Sequence, residues 1–219
     1  MIRLYHCVDA RSFRPLWALE EVGVPYELHV LPFPPRVLAK SYLDINPLGT
    51  IPAFFDGETE MTESAAIVEY VAQRHGQGGI AAPPDHPDFG RYLNFLHFGE
   101  ATLTFPQTLV LRYSRLEPRE RRQPQVAEDY RKWFLARLRG IDRALTGRDW
   151  LCAGRFTGAD ISVGYALLLA DSLGMSADFS ETVAAYWARL QARDGFQRAK
   201  AAQSQAAADA GVGPTLPAR

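Results

Sequence analysis

Apolar and polar positions alternate over residues 2–5 (Ile-Arg-Leu-Tyr) and again over 26–31 (Tyr-Glu-Leu-His-Val-Leu), which predicts two short strands. Between them the period changes. From Ser12 onward Leu16, Leu19 and Val22 recur at helical spacing, and Gly23 supplies a stop. Pro15 falls in the first turn of that helix, where a missing N–H costs little. Asp9 to Arg11 are polar and form the intervening turn. The chain therefore opens β-α-β.

Pro32, Pro34 and Pro35 then interrupt the backbone, and a short helical stretch is expected over 36–45. Asn46-Pro47-Leu48-Gly49 is turn chemistry. Ala53-Phe54-Phe55 and Glu60-Met61 flank Asp56-Gly57, the signal of a hairpin. Ser64 opens another helix with Ile67 and Val71 on one face, ending near His75. The stretch from Gly76 to Pro87, with Gly78-Gly79 and Pro83-Pro84, has the composition of a linker. Beyond it the period is helical throughout. Apolar stripes run through Val126, Tyr130, Phe134, Leu138, Ile141 and Leu145, through Ile161, Tyr165 and Leu168, and through Val183, Trp187 and Leu190. The tail after about Gln203 is Ala-rich and then contains Gly and Pro, and it is expected to fray. These elements predict an α/β first domain over 1–78, a linker over 79–86 and an all-α domain over 87–219.

Composition narrows the function classes. With 47% hydrophobic residues the chain can bury a core, and 24 basic against 25 acidic residues give no electrostatic reason to expect nucleic acid or an anionic membrane. Five arginines between Arg112 and Arg122 lie among Glu117 and Glu120 and fit a solvated helix end. Two cysteines, Cys7 and Cys152, make neither a disulfide framework nor a metal pattern, so no metal is expected and a reducing compartment fits. No secretory leader and no run of about 18 apolar residues is found, which makes the cytoplasm the default.

Three motifs point one way. They are Asn46-Pro47-Leu48-Gly49-Thr50-Ile51-Pro52, then Glu63-Ser64-Ala65-Ala66-Ile67, then Phe156-Thr157-Gly158-Ala159-Asp160. In combination, and in this order of elements, the chain resembles the glutathione S-transferase superfamily over nearly its whole length. The resemblance implies a thioredoxin-like glutathione-binding domain followed by an all-helical domain, glutathione as co-substrate, and a homodimer. It implies a cis bond before Pro52, with Thr50 and the Ile51 backbone beside the cysteinyl part of glutathione. It also places the γ-glutamyl end at Glu63 and Ser64. The physics agrees. An extended peptide can pair with exposed backbone, and a helix start offers free N–H groups and partial positive charge to a carboxylate. Thr157 and Asp160 form a capping-box relative and are structural.

The catalytic group should lie in the turn after the first strand. Counting back from Gly23-Val24-Pro25-Tyr26, the serine or cysteine of the family falls on Asp9, Ala10 or Arg11, none of which can serve. Ser12, one residue further on, is the leading candidate to contact the sulfur. Tyr5, at the tyrosine position of other relatives, and Cys7 are alternatives, and Arg11 could lower the thiol pKa or bind a ligand carboxylate. The second substrate, a small hydrophobic electrophile, is expected against residues drawn from Tyr92, Phe95, Leu96, His97, Phe98, Phe105 and Tyr113. The leading reading is thiol activation for attack on that electrophile. A glutathione-dependent isomerase, dehalogenase or peroxidase, and a non-catalytic interaction module, stay open as alternatives.

Overall fold

The computed structural model describes residues 1–77 and 79–213; Gly78 and the end of the expected tail lie outside the described residues. Two compact units divide the chain: Met1–Ala81 together with the chain from Gln191, and Ala82–Leu190.

In the first unit the predicted β-α-β opening consists of β1 (Ile2–His6), α1 (Phe13–Val22) and β2 (Tyr26–Val30). Gly23 ends α1 in the left-handed region, at φ 70°, and its N–H reaches the Leu19 carbonyl. The stretch expected to be one helix is split. A short α2 (Pro35–Leu38) is followed by a 3-10 turn over Lys40–Asp44. Then come β3 (Ala53–Asp56), β4 (Thr59–Met61) and α3 (Ser64–Arg74). The sheet order is β2-β1-β3-β4. β1 is parallel to β2 and antiparallel to β3, with Tyr5 opposite Ala53. This mixed four-stranded sheet with its helices is the thioredoxin-like half of the expected α/β fold.

The two faces of β1 differ. Leu4 is fully buried, and its β3 partner Phe54 meets Tyr70 of α3 edge-on. Tyr5 and Cys7 look the other way, into a cluster with Tyr42, Ile51 and Ala53.

The first unit is completed from the far end of the sequence. α9 (Asp194–Asp209) packs on α1, with Phe196 edge-on to Phe13 at 5.5 Å and to Trp17 at 5.0 Å. Arg193 clasps the Glu21 carboxylate with two 2.8 Å bonds. The stretch expected to fray after Gln203 is therefore helical as far as Asp209, and Gln203 is buried. Residues 191–213, grouped with the helical domain on sequence grounds, belong to the first unit instead, with α9 against α1 and β2. The reason is the spacing of Phe196, Ala199, Gln203 and Ala207, which puts one buried stripe on a single face.

The second unit is helical. It comprises α4 (Phe89–His97), α5 (Phe105–Leu111), α6 (Pro124–Leu145), α7 (Gly158–Ser172) and α8 (Glu181–Gln191), with π-helical turns over Phe98–Thr104 and Arg112–Leu116. α7 is buried from Gly158 through Ala170 and forms the centre of this unit. α4 and its continuation run close against it. Ser162 donates to the Leu96 carbonyl at 2.6 Å, and a Cβ on Gly99 would stand 2.4 Å from Ser162. At the start of α7 the Asp160 carboxylate accepts from the Thr157 N–H at 2.8 Å, the Thr157 hydroxyl at 3.0 Å, the Leu151 N–H and the Tyr186 hydroxyl. The arginine-rich segment carries exposed ion pairs, Arg112 and Arg121 both meeting Glu117. No described helix is long and apolar enough to cross a membrane.

Because Thr157 caps a helix buried from Gly158 through Ala170, Thr157→Ala should destabilise the chain by about 1–2 kcal/mol. Thermal or denaturant unfolding measures this, and an unchanged midpoint would contradict the structural role of the box.

Candidate functional site

The turn motif before β3 folds as its residues dictate. Asn46 is buried; its carbonyl oxygen Oδ1 accepts from the Leu48 N–H at 3.1 Å, and its Nδ2 donates to the Thr50 carbonyl at 2.7 Å. Tyr42 donates its hydroxyl to the same carbonyl at 2.7 Å. Gly49 has φ 61°, and a Cβ there would lie 2.6 Å from Cβ of Arg36, so both conformation and space require glycine. Thr50 is exposed at the end of this loop, and the Ile51–Pro52 bond is cis, as the family resemblance implied. A second cis bond, Phe33–Pro34, was not foreseen.

The held loop leads into Ile51, a buried member of the cluster with Cys7 and Tyr42. Among the described residues nothing bonds to its N–H or its C=O. Continuing the β1–β3 register past Tyr5 and Ala53 puts Ile51 level with Cys7, where the turn into α1 begins. The start of α3 lies nearby, because Arg14 in the first turn of α1 donates Nη1 to Ser64 Oγ at 3.2 Å. The backbone ladder of α3 begins with the Ile67 N–H on the Glu63 carbonyl, and the Glu63 side chain does not cap it. Glu63 is exposed and Ser64 is buried. Three features thus converge on one side of the first unit: a free backbone pair at Ile51, an uncapped helix start with an exposed carboxylate at Glu63, and the β1–α1 turn.

Inside that turn a chain of hydrogen bonds fixes each proton. Gln203 Nε2 donates to Asp9 Oδ1 at 2.6 Å, and its Oε1 accepts from the Asp9 N–H at 3.1 Å. A carboxylate on one side and an N–H on the other leave the amide a single orientation. Oε1 also lies 2.9 Å from His6 Nε2, so the imidazole carries its proton there. Nδ1 is then an acceptor, and Ser12 Oγ, 2.8 Å away, donates to it. Ser12 Oγ in turn accepts from the Cys7 N–H at 3.2 Å. Lys200 closes the outer end with bonds of 2.7 and 2.9 Å to the Asp9 carboxylate.

This arrangement surrounds the candidates for the sulfur contact. Ser12 is fully buried, and its hydroxyl lies 2.8 Å from His6 Nδ1. Tyr5 is a packing residue: its ring stacks on His29 at 4.7 Å and meets Tyr42 and Phe55. Burial pushes the Cys7 thiol up to about 12, so it stays protonated and unreactive. Arg11 is half-buried in the same turn. In the second unit, Tyr92, Phe95 and Leu96 are core, Phe98 and Tyr113 are half-buried, and His97 and Phe105 are exposed.

The comparisons with known proteins give the family. The family model described as Glutathione S-transferase, N-terminal domain, matches residues 1–73. The chain is 35% identical to Glutathione S-transferase 3 of Schizosaccharomyces pombe over 103 residues, 47% of this chain and less than half (43%) of that protein. It is 30% identical to Glutathione S-transferase hmp2 of Hypomyces subiculosus over 174 residues, covering 74% of this chain and 77% of that one. In fold it matches the crystal structure of a glutathione transferase from Methylococcus capsulatus, with a TM-score of 0.82 over 94% of this chain and 100% of that one at 24% identity. The chain belongs to the glutathione S-transferase family.

His6 gives the site a pH signature. Burial lowers its pKa to about 4, below the ordinary 6.5, against the opposing effect of the hydrogen bond it donates to Gln203. The unfolded chain takes up a proton near pH 6.5, whereas the folded one does so only near 4. The stability from neutral His6 is therefore complete above about 6.5 and is lost as pH falls toward 4, by roughly 3 kcal/mol in all. Urea titrations of wild type and His6→Asn across that window should show a steep fall in the former and a flatter one in the latter. Equal slopes would contradict the buried neutral imidazole.

Proposed function

We propose that this family member is a glutathione transferase that holds glutathione on its first unit, favours the thiolate, and directs it at a small hydrophobic electrophile. The unsatisfied N–H and C=O of Ile51 carry the reading, because an extended peptide is the ligand that completes such a pair. With the cysteinyl backbone of glutathione on Ile51, its γ-glutamyl end extends to the start of α3. There the first-turn N–H groups and Ser64 receive the carboxylate, and Glu63 pairs with the α-ammonium group. Thr50 flanks the peptide, and Pro52 sets the direction of the Ile51 backbone. The sulfur faces the β1–α1 turn.

Thiol activation is a modest task. Lowering a thiol pKa from about 8.5 by two units requires roughly 2.7 kcal/mol. With the Ser12 hydroxyl engaged, the positive field comes from the N-terminal end of α1 and from the Arg11 guanidinium in the same turn. The chemistry is then attack of the thiolate on the electrophile, with the glutathione conjugate as product.

The protein acts as a homodimer in the cytoplasm. The large apolar side chains Phe105, Leu116 and Trp133 exposed on the second unit support the first statement. The free buried thiols Cys7 and Cys152 support the second.

Two measurements test this. Glu63→Ala should weaken glutathione binding by about 1.5–3 kcal/mol, the range for a hydrogen bond to a charged group; calorimetry giving the wild-type affinity would remove the site from α3. Light scattering at micromolar concentration should return twice the 24.4 kDa chain mass. A single-chain mass would refute the dimer.

A further inference from the structure

The polar chain described above joins the β1–α1 turn to α9, nearly two hundred residues away in sequence, and none of the thiol chemistry just outlined makes direct use of it. Its centre is Gln203, 1% exposed in the first unit and the one polar residue in the buried stripe of Phe196, Ala199 and Ala207. The residue it grips is unusual. Asp9 has φ 52°, a left-handed conformation that a non-glycine residue adopts at a cost unless its surroundings hold it. What holds it comes from α9: Gln203 takes both its N–H and its carboxylate, and Lys200 takes the carboxylate from outside.

We propose that Gln203 is a positioning residue for the thiol end of the glutathione site. It fixes the left-handed Asp9 and, through His6 and Ser12, the Cys7 N–H, so that the turn holds Arg11 and the positive end of α1 in a set position relative to the glutathione sulfur. This rests on the glutathione reading above. The register that sets Ile51 level with Cys7 makes the connection. A peptide paired to Ile51 brings its cysteine beside residues 7–12, and the direction of α1 from that turn decides how its positive end meets the sulfur. A turn free to relax at Asp9 would still leave Ile51 and the start of α3 in place. Gln203 therefore governs ionisation of the thiol rather than affinity for the peptide. The amide is suited to this work. A carboxylate in its place would face that of Asp9, and an apolar side chain would leave the Asp9 N–H and His6 Nε2 buried without acceptors.

The test uses the full chain with Gln203→Met, similar in volume but without donor or acceptor, and Lys200→Met, which removes the outer ion pair at a half-exposed rim together with the ammonium over the Phe13 ring. Three quantities are read: glutathione affinity by calorimetry, the pH at which bound glutathione ionises by thiolate absorbance, and turnover with a chromogenic aryl halide. In Gln203→Met the affinity should stay within about twofold of wild type, while the thiol ionises about one pH unit higher, roughly a threefold loss of thiolate at pH 7, with kcat falling in step. Lys200→Met should shift ionisation in the same direction by less. Unchanged ionisation in both variants, with only a lower melting temperature, would overturn the inference and leave Gln203 a structural residue. An affinity loss as large as the turnover loss would overturn it as well, since the whole site would then have collapsed. Should Gln203→Met not fold, Lys200→Met and Asp9→Asn decide by the same ionisation measurement. Wild-type protein that fails to bind glutathione, or binds it equally well as Glu63→Ala, refutes the underlying site whatever the Gln203 variants do.

Discussion

The antiparallel register of β1 and β3 decides where the rest of the site falls. With Tyr5 opposite Ala53, the end of β1 runs level with Ile51, and one short segment serves as both a strand entry and a ligand-facing edge. The loop before it is held from within by Asn46 and Tyr42, which both bond the Thr50 carbonyl. Those bonds leave Ile51 presented without a partner of its own. A shift of register by one residue would turn Cys7 and Tyr5 to the opposite face and empty the cluster around Tyr42.

On the other face of β1 the corresponding constraint is polar. His6 is fully buried, and so is Ser12. Burying these groups is tolerable only because each donor meets an acceptor in an unbroken sequence from Lys200 to the Cys7 N–H. The same sequence engages the Ser12 hydroxyl, 2.8 Å from His6 Nδ1. The first unit is thus finished only when the last helix arrives, although that helix is far from β1 in the chain.

Much of this was legible in the residues. The periods over 2–5, 12–22 and 26–31, the Asp56-Gly57 hairpin and the helix start at Ser64 are local signals, and each appears where it was expected. So is the turn chemistry of Asn46 to Gly49. The split of the expected 36–45 helix was not legible, since four residues of α-helix and a 3-10 turn differ from one helix only in tertiary packing. The larger miss was the reach and the packing of the C-terminal helix. Alanines blur the contrast between buried and exposed sides, so the stripe of Phe196, Ala199, Gln203 and Ala207 was overlooked. A glutamine in such a stripe is the signal that could have found it. The surroundings of Ser12 were hidden for a related reason: sequence spacing gives the distance of a hydroxyl from a turn, and not the histidine that lies behind it.

The central claim is that glutathione occupies the side of the first unit defined by Ile51, the start of α3 and the β1–α1 turn. It is tested most directly by following the backbone amide resonances of isotope-labelled protein as glutathione is added. The account predicts that the amides of Ile51, of Ser64 and Ala65, and of the turn around Asp9 move together along one binding curve, while those of β4 stay still. Glutathione-dependent shifts confined to other parts of the chain, with Ile51 and Ser64 unmoved, would contradict it.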